Sequence, residues 1–241
     1  MQTNILNKNI PNFTNDNMFD KISLKHICDI YKTTNIVTIP EFVSNKALQE
    51  IKHEVENYQW WSYAMTPNNN IWDVKYDNKI GHENINECLL NLENKNFCYR
   101  FRRSTNDHYD TCVCVSCKLR ETVNCEKVTD LLCKIVGANK LTIGESFFSN
   151  YGKDDFLSLH HDINKGDISV TFSLTYDWHP TFGGILNFCD ENKNIYKSIV
   201  PCLGSVNIFK LDPKNGIDHF VSCVNVHKNR YTYTAWYNID H

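Results

Sequence analysis

Tyr151-Gly-Lys-Asp-Asp-Phe-Leu-Ser-Leu-His160-His161-Asp162 is the stretch on which the reading of this chain turns. Phe156 to His160 has the composition of a strand. Along a strand, side chains alternate between faces, so His160 and Asp162 are expected on one face and His161 on the other. An imidazole and a carboxylate then point together. A local bulge is the feature that could upset this register.

Two such groups do not hold a catalytic metal, so a third ligand is expected from a neighbouring strand. His219, in Gly216-Ile-Asp-His219-Phe-Val-Ser, begins an apolar strand-like run. Its rivals His179 and His227 are not followed by Arg and Trp at comparable distances. Two histidines and one carboxylate on one side of a metal, with the opposite positions open, form the donor set of non-haem Fe(II) oxygenases. Downstream, Arg230-Tyr-Thr232-Tyr-Thr234-Ala-Trp236-Tyr places a guanidinium, two hydroxyls and an indole on one strand face. Arginine grips a carboxylate in bidentate fashion, with Thr232 placed to add a hydrogen bond. A dicarboxylate held there while chelating iron at its other end would be 2-oxoglutarate.

The order of these residues resembles the prolyl 4-hydroxylase-like branch of the Fe(II)/2-oxoglutarate dioxygenases. The pattern is Tyr151, then His160-x-Asp162, a strand ending in Tyr176-Asp-Trp178, then Gly183-Gly-Ile-Leu186, His219, Arg230 and Trp236, covering roughly residues 141 to 238. The resemblance implies Fe(II) at His160, Asp162 and His219, with 2-oxoglutarate and O2 as cosubstrates and ascorbate as reductant. It also implies a cosubstrate pocket lined by Tyr151, Leu174, Tyr176, Leu186, Val221 and Trp236, with Tyr151 or Tyr176 donating to a cosubstrate carboxylate. The implied reaction hydroxylates a prolyl residue of a protein or peptide, releasing succinate and CO2.

Working outward, Leu141–Tyr151, Phe156–His160, Ile168–Tyr176, Gly184–Cys189, Ile195–Val200, Ser205–Leu211, His219–Val226 and Tyr231–Asn238 read as short strands between Asn, Gly, Asp and Pro turns. Such a series suggests a double-stranded β-helix, or jelly roll. Upstream, helices are expected over Ser23–Lys32, from an N-cap at Ser44, and from Asn124 to a stop at Gly137, with a short strand at Asn35–Ile39. The fold class is therefore mainly β with flanking helices (α+β). Residues 1–19 are expected as a mobile arm. Residues 20–241 form a single domain, with a helical and irregular part over 20–140 and the jelly-roll core over 141–238.

The segment from Gln59 to Glu121 is the least legible. Trp60, Trp61, Tyr63 and Trp72 suggest aromatic packing, and Tyr99-Arg-Phe-Arg-Arg103 alternates as a strand with Arg100 and Arg102 on a solvated face. The loops 59–78 and 105–116 are expected to select substrate. Cys112, Cys114 and Cys117, flanked by His108 and Cys125, could take structural Zn, but Val113 and Val115 favour a strand with small buried cysteines.

The chain has 241 residues and a net charge of -3, enough for a sizeable core and without the basic footprint of a nucleic-acid binder. An odd number of cysteines, 11, without a secretory signal argues against a disulfide framework. No apolar run is long enough to span a bilayer. These features point to an intracellular, cytoplasmic protein with no membrane partner. Taken singly, His160 reads as a turn histidine, His219 as a backbone-satisfied strand end, Asp162 as a turn residue and Arg230 as a strand-edge charge. The ordered set outweighs those separate coincidences. Two alternatives stay open: a hydroxylase of free amino acids or small molecules on the same fold, and a non-catalytic cupin-like metal-binding module.

Overall fold

The computed structural model describes residues 9–58, 61–65, 72–75, 82–104, 112–162, 164–211 and 217–240, with only the backbone path for 72–75 and 82–85. The helices are α1 (Met18–Lys21), α2 (Leu24–Thr34), α3 (Asn45–Glu56), α4 (His82–Glu93), α5 (Val115–Val123) and α6 (Glu126–Val136). The strands before the catalytic region are β1 (Ile36–Ile39), β2 (Trp61–Met65), β3 (Trp72–Lys75) and β4 (Tyr99–Ser104). After them come β5 (Leu141–Tyr151), β6 (Phe156–His160), β7 (Ile168–Ser173), β8 (Leu186–Cys189), β9 (Ile195–Ile199), β10 (Val206–Lys210), β11 (Asp218–Val221) and β12 (Arg230–Ile239).

Hydrogen-bonded neighbours run β1-β10-β7-β12-β5-β4-β6-β11-β8-β9, with β2 and β3 added beside β4, and the pairs are antiparallel. The sheet curls into the half-barrel of a jelly roll. Strand β4 closes it, because Arg102 and Arg103 pair with β5 while Tyr99 and Arg100 pair with β6. The turn between β5 and β6 is held by Asp155. Its carboxylate accepts from the Gly152 amide at 2.8 Å and from Arg100 Nε at 2.9 Å. Arg100 is thus a structural ion pair rather than part of a solvated face.

Period-two alternation produces two cores. On β12, Tyr233, Ala235 and Tyr237 pack outward under the helices with Phe148, Val170, Phe172 and Ile208 of neighbouring strands. The intervening Trp236 packs inward with Tyr151, Leu186, Phe209 and Val221. Helix α3 covers the outer layer through Ala47, Leu48, Ile51 and Val55, and its N-cap Ser44 accepts from the Ala47 amide at 3.2 Å. Helix α6 stops at Gly137, whose φ of 74° is readily adopted only without a Cβ.

Several sequence expectations change. The arm expected over 1–19 is docked from Ile10 onward: Ile10, Phe13 and Met18 are buried, the Ile10 amide donates to Thr122, and Phe13 packs edge-on against Phe172. Residues 1–8 lie outside the described residues. Asn124 ends α5, and Cys125 is the N-cap of α6. The strand expected around Val113 and Val115 is instead the start of α5, and Cys112, Cys114 and Cys117 are half-buried. Trp60, His108 and most of the expected substrate-selecting loops lie outside the described residues. Among the described residues, no helix is long and apolar enough to cross a membrane.

Candidate active site

The open side of the half-barrel brings the sequence-selected residues together through cross-strand pairing. His219 on β11 stands directly opposite His160 on β6, while the next matched pair is Val221 with Leu157. Two residues advance on β11 where three advance on β6, so β6 carries a bulge. Strict alternation would put Leu157 and His160 on opposite faces. The bulge re-aims His160, and both side chains line the same cavity.

The Nε2 of His160 is 3.4 Å from Asp162 Oδ1, and the Nε2 of His219 is 3.8 Å from Asp162 Oδ2. The two imidazole rings are 4.3 Å apart, and one ligand atom from each residue lies within 4.8 Å of the others. Each histidine is oriented in the same way. His160 Nδ1 is 2.9 Å from the Ser158 carbonyl, and His219 Nδ1 is 2.9 Å from the Ile217 carbonyl. A carbonyl can only accept, so each Nδ1 donates and each Nε2 turns its lone pair to the common point. Burial, reinforced by His160, pushes the His219 pKa down to about 4. Desolvation opposes the charge on Asp162, but the hydrogen bond with His160 and the neighbouring imidazoles hold its carboxyl below the usual range. The donor set therefore suits a divalent metal: two imidazole nitrogens and one carboxylate.

Trp236 has a more specific place than lining. Its indole Nε1 donates to Asp162 Oδ2 at 3.1 Å, fixing the carboxylate from behind. His161 points away and pairs with Asp218 at 3.1 Å. His179 and His227 are exposed and outside the cluster.

Deeper in the cavity, Arg230 is only 5% exposed, and its guanidinium lies over the Tyr151 ring at 5.0 Å. Its Nε has no hydrogen-bond partner, and among the described residues it makes no ion pair. A buried guanidinium without a counter-charge is costly, so this end of the cavity fits the carboxylate of a ligand. Thr232 lies beside it, with its hydroxyl 2.6 Å from that of Ser149. Burial raises the Tyr151 phenol, so it remains a neutral donor, and its ring stacks on Phe101 at 4.7 Å. Gly184 makes room here, since a Cβ would come within 3.0 Å of Arg230 Cδ and its φ is +62°.

Leu186 and Val221 line the cavity as the resemblance implies. Leu174 and Tyr176 do not. Leu174 is fully buried in the outer core, and Tyr176 donates its hydroxyl to the Leu48 carbonyl and packs under Lys52. On β7 the cavity side is taken by Ser169 and Thr171, and Leu174 is in phase with the outward Ile168, Val170 and Phe172. The cavity also uses Phe147, Ser149, Ser169, Thr171 and Phe209, which sequence reasoning missed. Phe147 and Ser149 were accessible to it, being in phase with Tyr151 on one strand.

The family model of the 2OG-Fe(II) oxygenase superfamily matches residues 147–238, a span containing every one of these metal-facing and arginine-side groups. No curated protein sequence matches the chain. Among solved structures, a 2OG-Fe(II) oxygenase family oxidoreductase from Burkholderia pseudomallei is similar at 13% identity and TM-score 0.61, over 89% of this chain and 90% of that one. A prolyl hydroxylase from Trichoplax adhaerens, in complex with a hypoxia inducible factor oxygen degradation domain peptide fragment, has 16% identity and TM-score 0.58, over 89% and 88%. A Pseudomonas putida prolyl-4-hydroxylase has 14% identity and TM-score 0.53, over 90% and 100%. At these identities the likeness is one of fold.

Proposed function

We propose, from the match of residues 147–238 to the family model of the 2OG-Fe(II) oxygenase superfamily, that the chain is an Fe(II)- and 2-oxoglutarate-dependent dioxygenase hydroxylating a prolyl residue of a protein or peptide, with release of succinate and CO2. The observation that carries the reading is the convergence of His160, Asp162 and His219 beside a buried arginine that lacks a carboxylate. His160, Asp162 and His219 would hold the iron, and Arg230, Thr232 and Tyr151 the far carboxylate of 2-oxoglutarate. Bound there, iron and cosubstrate supply the oxidising chemistry from O2.

The chain's own residues do the rest. The Ser158 and Ile217 carbonyls keep both imidazoles in the ligating tautomer. Trp236 holds Asp162 in place, while Leu186, Val221 and Phe209 exclude water from the cavity. At the mouth, Phe97 is 41% exposed with its ring 5.2 Å from that of His160. An apolar ring beside the metal position suits the pyrrolidine of a prolyl substrate. The peptide-bound relative from Trichoplax adhaerens supports a peptide rather than a free amino acid.

The test is incubation of the full chain with Fe(II), 2-oxoglutarate, ascorbate as reductant, and a host protein extract. The expected result is succinate production together with a mass gain of about 16 Da, one inserted oxygen, on a prolyl residue. Oxygen appearing only on a metabolite would move the substrate to the small-molecule class. No iron-dependent succinate under any condition would sink the enzyme reading.

A further inference from the structure

A second cluster of soft ligands lies on the opposite layer of the molecule from the cavity. Cys112, Cys114 and Cys117 bring their sulfur atoms within 4.8 Å of one another, and none is in a disulfide. The three are half-buried, so an ion can reach them from solvent. Cys114 is the N-cap of α5, and Cys117 sits in that helix's first turn. Burial and the neighbouring sulfurs raise the Cys114 and Cys117 thiols, so an ion that binds them must displace their protons. Behind them Val115, Leu119 and Val123 anchor the helix in the outer core, giving the cluster a fixed base.

We propose that Cys112, Cys114 and Cys117 form a zinc site that fixes the chain entering α5 against that helix's first turn. In a tetrahedral site with bonds of about 2.3 Å the sulfurs stand about 3.8 Å apart, and sulfurs already within 4.8 Å of one another need little rearrangement to reach that spacing. Three thiolates select Zn(II) over Fe(II), which prefers the imidazole and carboxylate set of the other site. Among the described residues no fourth His, Cys, Asp or Glu joins the group. The same turn of α5 is held independently, because the Ser116 hydroxyl lies 3.1 Å from that of Ser104 at the end of β4. The role is structural, since the cluster adjoins Tyr58 and Tyr233 of the outer layer and takes no part in lining the cavity.

Cobalt(II) is the probe, added to the full-length, metal-stripped chain under reducing conditions. A sulfur-to-cobalt charge-transfer band saturating at one equivalent is expected. It should be displaced by Zn(II), retained in His160→Ala and lost in Cys117→Ser. The active-site ligands contain no sulfur, so the band reports this cluster whatever the fate of the proposed enzymatic function. Because Cys117→Ser could fold poorly, the wild-type chain is also alkylated with and without Zn(II) and its thiols are mapped by mass spectrometry. Protection confined to Cys112, Cys114 and Cys117 supports the site. Absence of the band in the wild-type chain, its persistence in folded Cys117→Ser, or protection falling on other cysteines would overturn it.

Discussion

The two faces of β12 make different demands on one ten-residue strand. Its outer face, with Tyr233, Ala235 and Tyr237, is sealed beneath helices, and each tyrosine hydroxyl finds a partner: Ser146 at 3.0 Å and the Val123 carbonyl at 2.8 Å. Its inner face carries Arg230 with an unpartnered Nε and Trp236 committed to a carboxylate. Buried polar groups are ordinarily satisfied. One face meets that rule with protein atoms, whereas the other leaves Arg230 Nε without a protein partner, as the proposed cosubstrate site requires. Stability and chemistry are thus divided between layers, and substitutions on the two sides should separate them.

The largest separation is expected at the ligand set. His160→Ala, Asp162→Ala or His219→Ala should reduce 2-oxoglutarate turnover to background while the far-ultraviolet circular dichroism remains that of the parent. Retained iron-dependent succinate formation in any of the three would break the division. Arg230→Ala should raise the apparent KM for 2-oxoglutarate by about 100-fold, the loss associated with truncating one side of a buried charge pair. An unchanged constant would remove Arg230 from cosubstrate binding.

The outer layer should behave in the opposite way. Phe172→Ala deletes a fully buried ring that packs against Phe13 and Phe42. It should cost about 3–5 kcal/mol in urea unfolding, with iron affinity of the folded fraction intact. A subtler inner-face change is Trp236→Phe, which keeps an aromatic ring but loses the hydrogen bond to Asp162. Fe(II) affinity should fall roughly 10- to 100-fold, the range typical of groups that orient a metal ligand.

The last effect, spread over a range of pH, concerns the metal-free protein. An ordinary histidine titrates near 6.5 in the unfolded chain, whereas burial lowers His219 to about 4. Between those values the unfolded state binds the additional proton, so stability contributed by this group is present above about pH 6.5 and is lost as pH falls towards 4. The loss is about 3 kcal/mol at most. Urea titrations of the parent and His219→Gln at the two ends of that window should show the difference, and parallel curves would contradict it.

The inner face was largely legible before any coordinates, because a few chemically distinctive residues occur in a fixed order and alternate with apolar ones. His160, Asp162, His219 and Arg230 could be selected that way. The bulge in β6 could not. Leu157 and His160 share a face only because the ladder slips by one residue, and nothing in Phe-Leu-Ser-Leu-His announces the slip. Leu174 and Tyr176 were misplaced because they were carried over from the resemblance, whereas on β7 it is Ser169 and Thr171 that face the cavity and Leu174 is in phase with the outward Ile168, Val170 and Phe172. The helices of the outer layer were readable where a cap and an apolar stripe coincided, as at Ser44, and unreadable in α4. There Leu89, Leu90 and Leu92 are 44%, 56% and 42% exposed, leaving little amphipathic signal to read.

A crystal of the chain grown anaerobically with Fe(II) and 2-oxoglutarate, with data collected across the iron absorption edge, tests the central claim most directly. The expected map has one anomalous peak bonded to His160 Nε2, the Asp162 carboxylate and His219 Nε2, with the distal carboxylate of 2-oxoglutarate on Arg230. Iron bound elsewhere, or a cosubstrate carboxylate that leaves Arg230 without a counter-charge, would contradict it.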